Sequence, residues 1–129
     1  MPNRVFVVED HEVYRHTLIE VLSQVNKVEV CGSSSTAEAA LESLPEMNAD
    51  IVIVDMSLPK MNGLEFAVEI KKRCPNLRCL MVSGHKTPAL IERARELGLQ
   101  GYVVKGDATQ IKNAINDLIA GQSHFSVET

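Results

Sequence analysis

The sequence has no tryptophan, no C-x-x-C pair and no apolar run near the roughly 20 residues that a membrane helix requires. Its N-terminus lacks the apolar core and cleavage-site pattern of a signal peptide. The three cysteines are an odd number, which indicates buried thiols in a reducing compartment rather than a disulfide framework or a metal site. We therefore expect a cytoplasmic protein without a membrane partner.

Basic residues are fewer than acidic residues. Thirteen lysines and arginines stand against 17 aspartates and glutamates, and the net charge of −4 argues against direct nucleic-acid binding by this chain. The composition is 45% hydrophobic and 23% charged over 129 residues. These values are typical of one globular domain that is large enough to bury a core.

Short apolar runs rich in valine and isoleucine alternate with segments of helical spacing. The runs are too short for helices and predict buried strands. They span residues 5–8, 28–31, 51–54, 79–82 and 102–104. After each run, apolar residues recur at the three- and four-residue spacing of one helix face, so the sequence also predicts five helices.

Several residues mark where these helices begin. Ser35 and Glu38 have the spacing of a capping box at the start of the second helix. Thr87 followed by Pro88 predicts the start of the fourth helix, and Asp107 is placed to cap the fifth. Five strand–helix units in a row predict an α/β fold: a doubly wound, five-stranded parallel sheet with helices on both faces.

Polar residues follow four of the predicted strands, at the ends where a doubly wound sheet binds its ligands. Glu9 and Asp10 follow the first strand and Asp55 ends the third. Ser83 ends the fourth strand and Lys105 the fifth. Because the carboxyl ends of parallel strands share one edge of the sheet, we expect these side chains to converge.

Convergence of three carboxylates has a chemical consequence. Carboxylates about 5 Å apart repel by roughly 3 kcal/mol per pair at an effective dielectric constant of about 20. The Lys105 ammonium can offset this repulsion, and so can Mg²⁺, which prefers a few carboxylate oxygens plus waters. Asp55 is then a candidate nucleophile, since carboxylates form acyl-phosphates. Lys105 and the Ser83 hydroxyl could bind the phosphoryl oxygens.

Taken in order, these motifs resemble the receiver domain of two-component response regulators over residues 3–121. The matching segments are the pair Glu9–Asp10, "DMSLPKMNG" with Asp55, "VSG" with Ser83, and "GYVVKG" with Tyr102 and Lys105. The resemblance implies a flavodoxin-like, three-layer α/β/α fold of strand order 2-1-3-4-5. It places a receiver domain at residues 1–121, whereas residues 122–129 have no periodicity and are expected to form a tail or the start of a linker.

The resemblance also implies roles for the polar residues. Asp55 would accept a phosphoryl group from a phosphohistidine on a kinase or phosphotransfer protein. Asp10 and Asp55 would be carboxylate ligands of Mg²⁺, with Glu9 acting largely through metal-bound water and Ser57 through its backbone carbonyl. The family's Mg²⁺ is the only cofactor that we expect.

A second group of implied roles concerns the switch. Ser83 would bond a phosphoryl oxygen and Lys105 would pair with it, while the Tyr102 ring would turn inward as Ser83 moves. The positions expected to flank the phosphoryl group are Met56, Gly84 and His85.

The sequence departs from the family pattern at two places. The acidic pair is Glu–Asp rather than Asp–Asp, and Gly106 stands where many members have a proline with a cis bond. The segment "GYVVKGDA" is most similar to the NarL/FixJ group, whose receivers usually precede a helix-turn-helix domain. We therefore expect a phosphorylation-controlled switch that dimerises on activation and controls transcription through an output domain outside this chain. A free-standing receiver acting by protein–protein contact is the alternative.

Other functional classes fit less well. We do not expect an enzyme beyond its own phosphoryl transfer and autodephosphorylation. A phosphatase with an aspartyl-phosphate intermediate would need a second aspartate where Ser57 stands. A nucleotide- or flavin-binding domain would need a glycine-rich loop after the first strand, and "EDHEVYR" has none. Simpler interpretations also remain, in which Asp10 only caps a helix and Tyr102 only packs in the core.

Overall fold

A computed structural model describes residues 2–85, 87–106 and 108–125. The strands are β1 (Asn3–Val8), β2 (Val28–Ser34), β3 (Ile51–Asp55), β4 (Arg78–Ser83), β5 (Gly101–Val104) and β6 (His124–Phe125). The helices are α1 (Glu12–Ser23), α2 (Ala37–Ser43), α3 (Gly63–Arg73), α4 (Pro88–Glu96) and α5 (Ala108–Ile119), and a short 3₁₀ helix (Leu44–Glu46) follows α2. Among the described residues, no helix is both long and apolar enough to span a bilayer.

The strands form one parallel sheet of order β2-β1-β3-β4-β5-β6. The predicted fold class and the predicted order of the first five strands are confirmed. The strand order reverses at β1, because β2 lies on one side of β1 whereas β3, β4 and β5 follow in turn on the other side. That switch point places the ends of β1 and β3 next to each other.

Alternate residues of the central strands face opposite layers of the core. In β3, Ile51 and Ile53 pack with α1 and α5, whereas Val52 and Val54 pack with α2, α3 and α4. Every residue of β3 is buried, Asp55 included. A strand covered on both faces reads as an unbroken apolar run, which is why the sequence in this region shows no alternation of polar and apolar residues.

The helix starts differ from the sequence interpretation at two places. The predicted cap at Ser35 is wrong, because Thr36 is the cap and its hydroxyl accepts the Ala39 amide proton at 3.1 Å. Thr87 does precede the first residue of α4, but its side chain makes no capping hydrogen bond. Asp107, the predicted cap of α5, lies outside the described residues.

The cysteines are free thiols, as expected, but they are not all buried. Cys79 on β4 is buried, and burial raises the pKa of its thiol to about 12. Cys31 and Cys74 are half-buried.

The segment after α5 contains a strand that the sequence interpretation missed. β6 pairs with β5 in parallel, with Gly101 opposite His124 and Tyr102 opposite Phe125. His124 Nδ1 lies 2.7 Å from the Asp117 carboxylate on α5. The Arg95 guanidinium on α4 lies 4.3 Å from the centre of the Phe125 ring. Two residues are too few to show the periodicity of a strand. The position of β6 therefore depends on these contacts with neighbouring helices, which the sequence pattern does not reveal.

We predict that Phe125→Ala destabilises the domain by about 1–2 kcal/mol, because a half-buried ring loses its contacts with Arg95 and the core. Urea unfolding measures the loss, and hydrogen exchange at the His124 amide, which donates to the Gln100 carbonyl, reports on β6 itself. Val13→Ala is the control, since Val13 is 70% exposed and its truncation should change stability by less than about 0.5 kcal/mol. Equal stability of the two variants would contradict the assignment of β6 to the folded domain.

Candidate functional site

Four strand ends bring the predicted polar residues to one edge of the sheet. Glu9 and Asp10 directly follow β1, Asp55 is the last residue of β3, and Ser83 is the last residue of β4. Lys105 follows β5, and its backbone amide donates to the Ser83 carbonyl at 2.7 Å, which extends the pairing of β4 and β5 by one residue. The convergence predicted from the sequence is therefore present in the structure.

The acidic residues form one cluster. Glu9, Asp10 and Asp55 each offer a carboxylate oxygen, and these three oxygens lie within 4.8 Å of one another. Glu9 and Asp55 are only 1% and 3% exposed, whereas Asp10 is exposed. Asp10 does not cap α1, because the cap is His11, whose Nδ1 accepts the Tyr14 amide proton at 3.2 Å. This cap frees the Asp10 carboxylate for the cluster.

Lys105 compensates part of this charge. Its Nζ lies 3.3 Å from Glu9 Oε1 and 3.3 Å from Asp55 Oδ2. The lysine side chain remains 25% exposed, while both carboxylates are almost fully buried. One ammonium thus bridges two buried carboxylates at the mouth of the site.

Glu9 has one buried carboxylate oxygen without a hydrogen bond in the part of the chain that the structure describes. Its Oε2 accepts the His11 amide proton at 3.1 Å, but Oε1 is buried without a hydrogen bond of normal geometry among the described residues, although Lys105 is within ion-pair distance. Burial raises the pKa of the Glu9 carboxyl, the Asp55 charge adds to the rise, and the His11 amide and Lys105 oppose it. Three neighbouring carboxylates, one of which has an oxygen without a hydrogen bond from the described residues, are suitable ligands for a hard divalent cation.

Asp55 is held from two sides. Its Oδ1 accepts the Ser57 amide proton at 3.1 Å, and its Oδ2 pairs with Lys105. The turn behind it is anchored by two backbone hydrogen bonds, from Met56 to the Val82 carbonyl at 2.8 Å and from Gly63 to the Met56 carbonyl at 3.0 Å.

Gly63 explains how α3 can begin directly beneath Asp55. A Cβ at this position would lie 2.6 Å from the Asp55 carbonyl oxygen and 2.9 Å from the Met56 Cα. Any side chain here would push the turn away from the sheet, because neither contact is with a flexible group. The glycine at the end of "DMSLPKMNG" thus allows α3 to approach β3 closely.

Ser83 and Tyr102 meet through the backbone of His85. The Ser83 hydroxyl accepts the His85 amide proton at 3.1 Å, and the Tyr102 hydroxyl donates to the His85 carbonyl at 3.1 Å. Both Ser83 and the Tyr102 ring are buried. The structure thus brings Tyr102 to the site through a hydrogen bond as well as through packing.

Met56, Gly84 and His85, the positions expected to flank a phosphoryl group, follow the ends of β3 and β4. Met56 is half-buried beside Asp55, while Gly84 and the His85 side chain are exposed beyond Ser83. Ser57 is also exposed, and it contacts Asp55 through its backbone amide.

Tyr14 is a residue at the site that sequence reasoning did not single out. Its ring centre lies 4.7 Å from Lys105 Nζ, and its hydroxyl is buried. Burial raises the pKa of the phenol to about 12, the Glu9 and Asp55 charges add to the rise, and the Gly106 backbone opposes it. The sequence showed Tyr14 only as one position of an apolar helix stripe, and nothing in a stripe reveals a lysine that is distant in the chain.

The comparison with known families agrees with this geometry. The family described as "Response regulator receiver domain" matches residues 5–116, so the chain belongs to the response regulator receiver domains. This confirms the resemblance that was drawn from the motifs.

The relatives are response regulators of the NarL/LuxR type. The DNA-binding transcriptional activator DevR/DosR of Mycobacterium tuberculosis is 32% identical over 121 residues, which cover 93% of this chain and 56% of that protein. The response regulator protein VraR of Staphylococcus saprophyticus is 29% identical over 129 residues, which cover 99% of this chain and 62% of that protein. The chain thus spans less than two thirds of the length of these relatives.

Solved structures agree as well. The isolated receiver domain of RcsB from Salmonella enterica serovar Typhimurium, in the presence of the phosphomimetic BeF3−, has a TM-score of 0.90 at 26% identity, covering 97% of this chain and 94% of that one. The receiver domain of NarL from Mycobacterium tuberculosis has a TM-score of 0.86 at 29% identity, covering 94% of this chain and 98% of that one.

We predict that Glu9→Gln stabilises the domain in the absence of divalent cations. The pKa of Glu9 is raised in the folded state, so the folded carboxyl holds its proton to higher pH than the unfolded one. Its contribution to stability is therefore fully present below the ordinary pKa of 4.5 and is lost as pH rises through the raised value. Glutamine does not titrate, so the advantage of the variant should grow over that pH range and then level off.

Urea unfolding at a series of pH values in the presence of a chelator measures this difference. Glu92→Gln on α4 is the control, because Glu92 is exposed and far along the chain from the cluster. A constant difference between Glu9→Gln and the unmodified protein at all pH values would show that burial does not disfavour the Glu9 charge.

Proposed function

We propose that this domain takes a phosphoryl group onto Asp55 and so acts as a phosphorylation-controlled switch. The observation that carries the proposal is the placement of the Asp55 carboxylate. It is buried among other carboxylates, oriented by the Ser57 amide on one oxygen and by Lys105 on the other. A nucleophile held in this way meets an incoming phosphorus with little loss of freedom, which is the main requirement of phosphoryl transfer.

The transfer requires no general base to activate Asp55. An Asp55 oxygen forms a bond to phosphorus while the bond from phosphorus to the donor nitrogen breaks, and the electron pair stays on that nitrogen. A donor ring protonated at its other nitrogen then leaves as neutral imidazole. Asp55 gives up no proton, because it reacts as the carboxylate. Lys105 and the Ser83 hydroxyl stabilise the charge on the phosphoryl oxygens. The donor we propose is a phosphohistidine on a histidine kinase or a phosphotransfer protein.

The acidic cluster fits the family's Mg²⁺. Asp10 and Asp55 would hold the ion, with Glu9 near it and the Ser57 carbonyl as a further ligand, and the ion would supply neutralisation of phosphoryl charge. The poorly satisfied Glu9 oxygen supports this assignment. We do not propose that the domain hydrolyses phosphate esters of other molecules, since Ser57 stands where an aspartyl-phosphate phosphatase needs a second aspartate.

The hydrogen bonds of His85 suggest how the phosphoryl group is read. A serine hydroxyl has one donor and two acceptor positions, so Ser83 can donate to a phosphoryl oxygen while it still accepts from the His85 amide. Tyr102 is already buried and bonded to the His85 carbonyl. The phosphoryl group then stabilises this inward arrangement by its differential contact with Ser83, rather than creating it.

We propose that the switch controls an output domain in a longer protein. DevR/DosR is named a DNA-binding transcriptional activator and is longer than the matched region. The net charge of −4 disfavours DNA binding by the receiver itself. Activated receivers would then form homodimers that pair two output domains, and a receiver without an output domain would act by protein contact alone.

We predict that acetyl phosphate with Mg²⁺ adds one phosphoryl group, on Asp55 alone. The reason is the orientation of this carboxylate by Ser57 and Lys105. Mass spectrometry of the intact chain and of its peptides gives the number and position of the phosphoryl groups. Asp10→Asn should slow the uptake about tenfold or more, because one charged metal ligand is lost.

Asp50→Asn is the matched control for this experiment. Asp50 lies next to β3 at its opposite end, where its carboxylate accepts the Arg4 amide proton at 2.8 Å, and an asparagine can keep that bond. It should label like the unmodified protein. Labelling that persists in Asp55→Ala, or that needs no divalent cation, would contradict the proposed chemistry.

We predict that Tyr102→Phe weakens the coupling of phosphorylation to dimerisation by about fivefold, because one hydrogen bond to His85 is worth about 1 kcal/mol. Tyr102→Ala should weaken it further. Sedimentation with and without beryllofluoride, a phosphoryl mimic, measures the response. If both variants dimerise as the unmodified protein does, Tyr102 only packs in the core.

A further inference from the structure

The position of the Lys105 ammonium depends on few contacts. The next residue, Gly106, has a φ of +96°, a backbone conformation that glycine adopts freely. Lysine has four rotatable side-chain bonds, so the backbone alone does not place Nζ. The observed contacts of Nζ are with Glu9, Asp55 and the ring of Tyr14.

Two of these three contacts are with groups that have other tasks in the proposed function. Asp55 receives the phosphoryl group, and Glu9 belongs to the cluster that suits a cation. When either carboxylate turns to another ligand, its hold on Lys105 weakens. The contact with Tyr14 does not compete in this way, because a neutral ring attracts an ammonium through its π face and offers no anionic ligand atom to a metal.

The backbone that carries the ring is fixed at the start of α1. Tyr14 is the third residue of α1, and its amide donates to the His11 cap. Its hydroxyl is buried and makes no hydrogen bond of normal geometry among the described residues, although the Gly106 backbone is near enough to oppose the rise of its pKa. A weakly bonded hydroxyl contributes little stability, so hydrogen bonding alone does not explain this residue. The contact of the ring face with Lys105 accounts for an aromatic side chain here, together with packing of the ring against the core.

We propose that Tyr14 is a positioning residue for Lys105. Its ring keeps the ammonium at the mouth of the site, within reach of a phosphoryl group on Asp55, when the carboxylates are engaged elsewhere. This inference rests on the proposed function of Asp55. A contact from α1 thereby restricts the Lys105 side chain, which the flexible glycine after it does not restrict.

The direct test is a comparison of Tyr14→Phe with Tyr14→Leu by NMR. A lysine whose Nζ lies over a ring has its ε-methylene protons in the ring-current field, which shifts them upfield. We expect this shift for Lys105 in the unmodified protein and in Tyr14→Phe, and its loss in Tyr14→Leu. The Lys105 signal is assigned by its absence in Lys105→Arg. An unshifted signal in the unmodified protein would overturn the inference.

The functional test uses the rate of phosphoryl uptake from acetyl phosphate. Tyr14→Leu should slow uptake about fivefold, the size expected for loss of a half-exposed cation–π contact, and Tyr14→Phe should stay within about twofold of the unmodified protein. The effect of Tyr14→Leu should vanish when it is made together with Lys105→Gln, since the ring acts only through the ammonium. A merely structural role for Tyr14 would slow uptake equally in both backgrounds and would overturn the inference.

Val21→Ala is the control for packing. Val21 lines the same groove between α1 and α5 as Tyr14, but it is two turns further along α1. It should lower stability without changing the uptake rate or the Lys105 shift. If the unmodified protein takes up no phosphoryl group, the proposed function is wrong, and the NMR comparison then decides by itself whether Tyr14 positions Lys105.

Discussion

The repulsion among three carboxylates at one edge of the sheet is the constraint on which the rest of the site depends. Glu9, Asp10 and Asp55 have oxygens within 4.8 Å of one another, and two of these residues are almost fully buried. Such a cluster is unfavourable by itself, at roughly 3 kcal/mol per pair at about 5 Å and an effective dielectric constant of about 20. The apolar strands that deliver the carboxylates must therefore provide the stability that the cluster opposes.

Lys105 links this charge to the rest of the fold. Its ammonium joins Glu9 and Asp55, and its backbone amide joins β5 to Ser83 at the end of β4. From Ser83 a second path leads through the backbone of His85 to the hydroxyl of Tyr102. A change of charge at Asp55 can thus reach β5 by a chain of direct contacts, each a few ångströms long. Tyr102 in turn lies opposite Phe125 of β6, so the segment after α5 borders the strand that carries Tyr102.

The loop after β5 and the start of α1 meet at Lys105. Gly106, the residue after this lysine, has a φ of +96°. Tyr14, on a different element, places an aromatic face beside the lysine. We propose that this contact compensates for the conformational freedom of the glycine, and only the folded arrangement brings the two residues together.

Much of the molecule could be predicted from the sequence because its signals are local. Strands β1, β3, β4 and β5 contain continuous apolar runs, and the residues at their carboxyl ends are chemically distinct. Glu9, Asp10, Asp55, Ser83 and Lys105 could therefore be placed on one edge once a parallel sheet was inferred. What the sequence could not show depends on contacts between residues distant in the chain. β6 forms where Asp117, Arg95 and β5 surround a segment too short to carry a pattern. The choice of Thr36 rather than Ser35 as the cap of α2 is a local exception, since serine and threonine are both preferred caps. The contact of Tyr14 with Lys105 joins residues 91 positions apart, and the hydrogen bonds of His85 run through its backbone, which every residue possesses. Side-chain type and periodicity determined the fold and the types of group at the candidate site. Tertiary packing alone determined which residues orient those groups, because orientation depends on distances that only the folded chain defines.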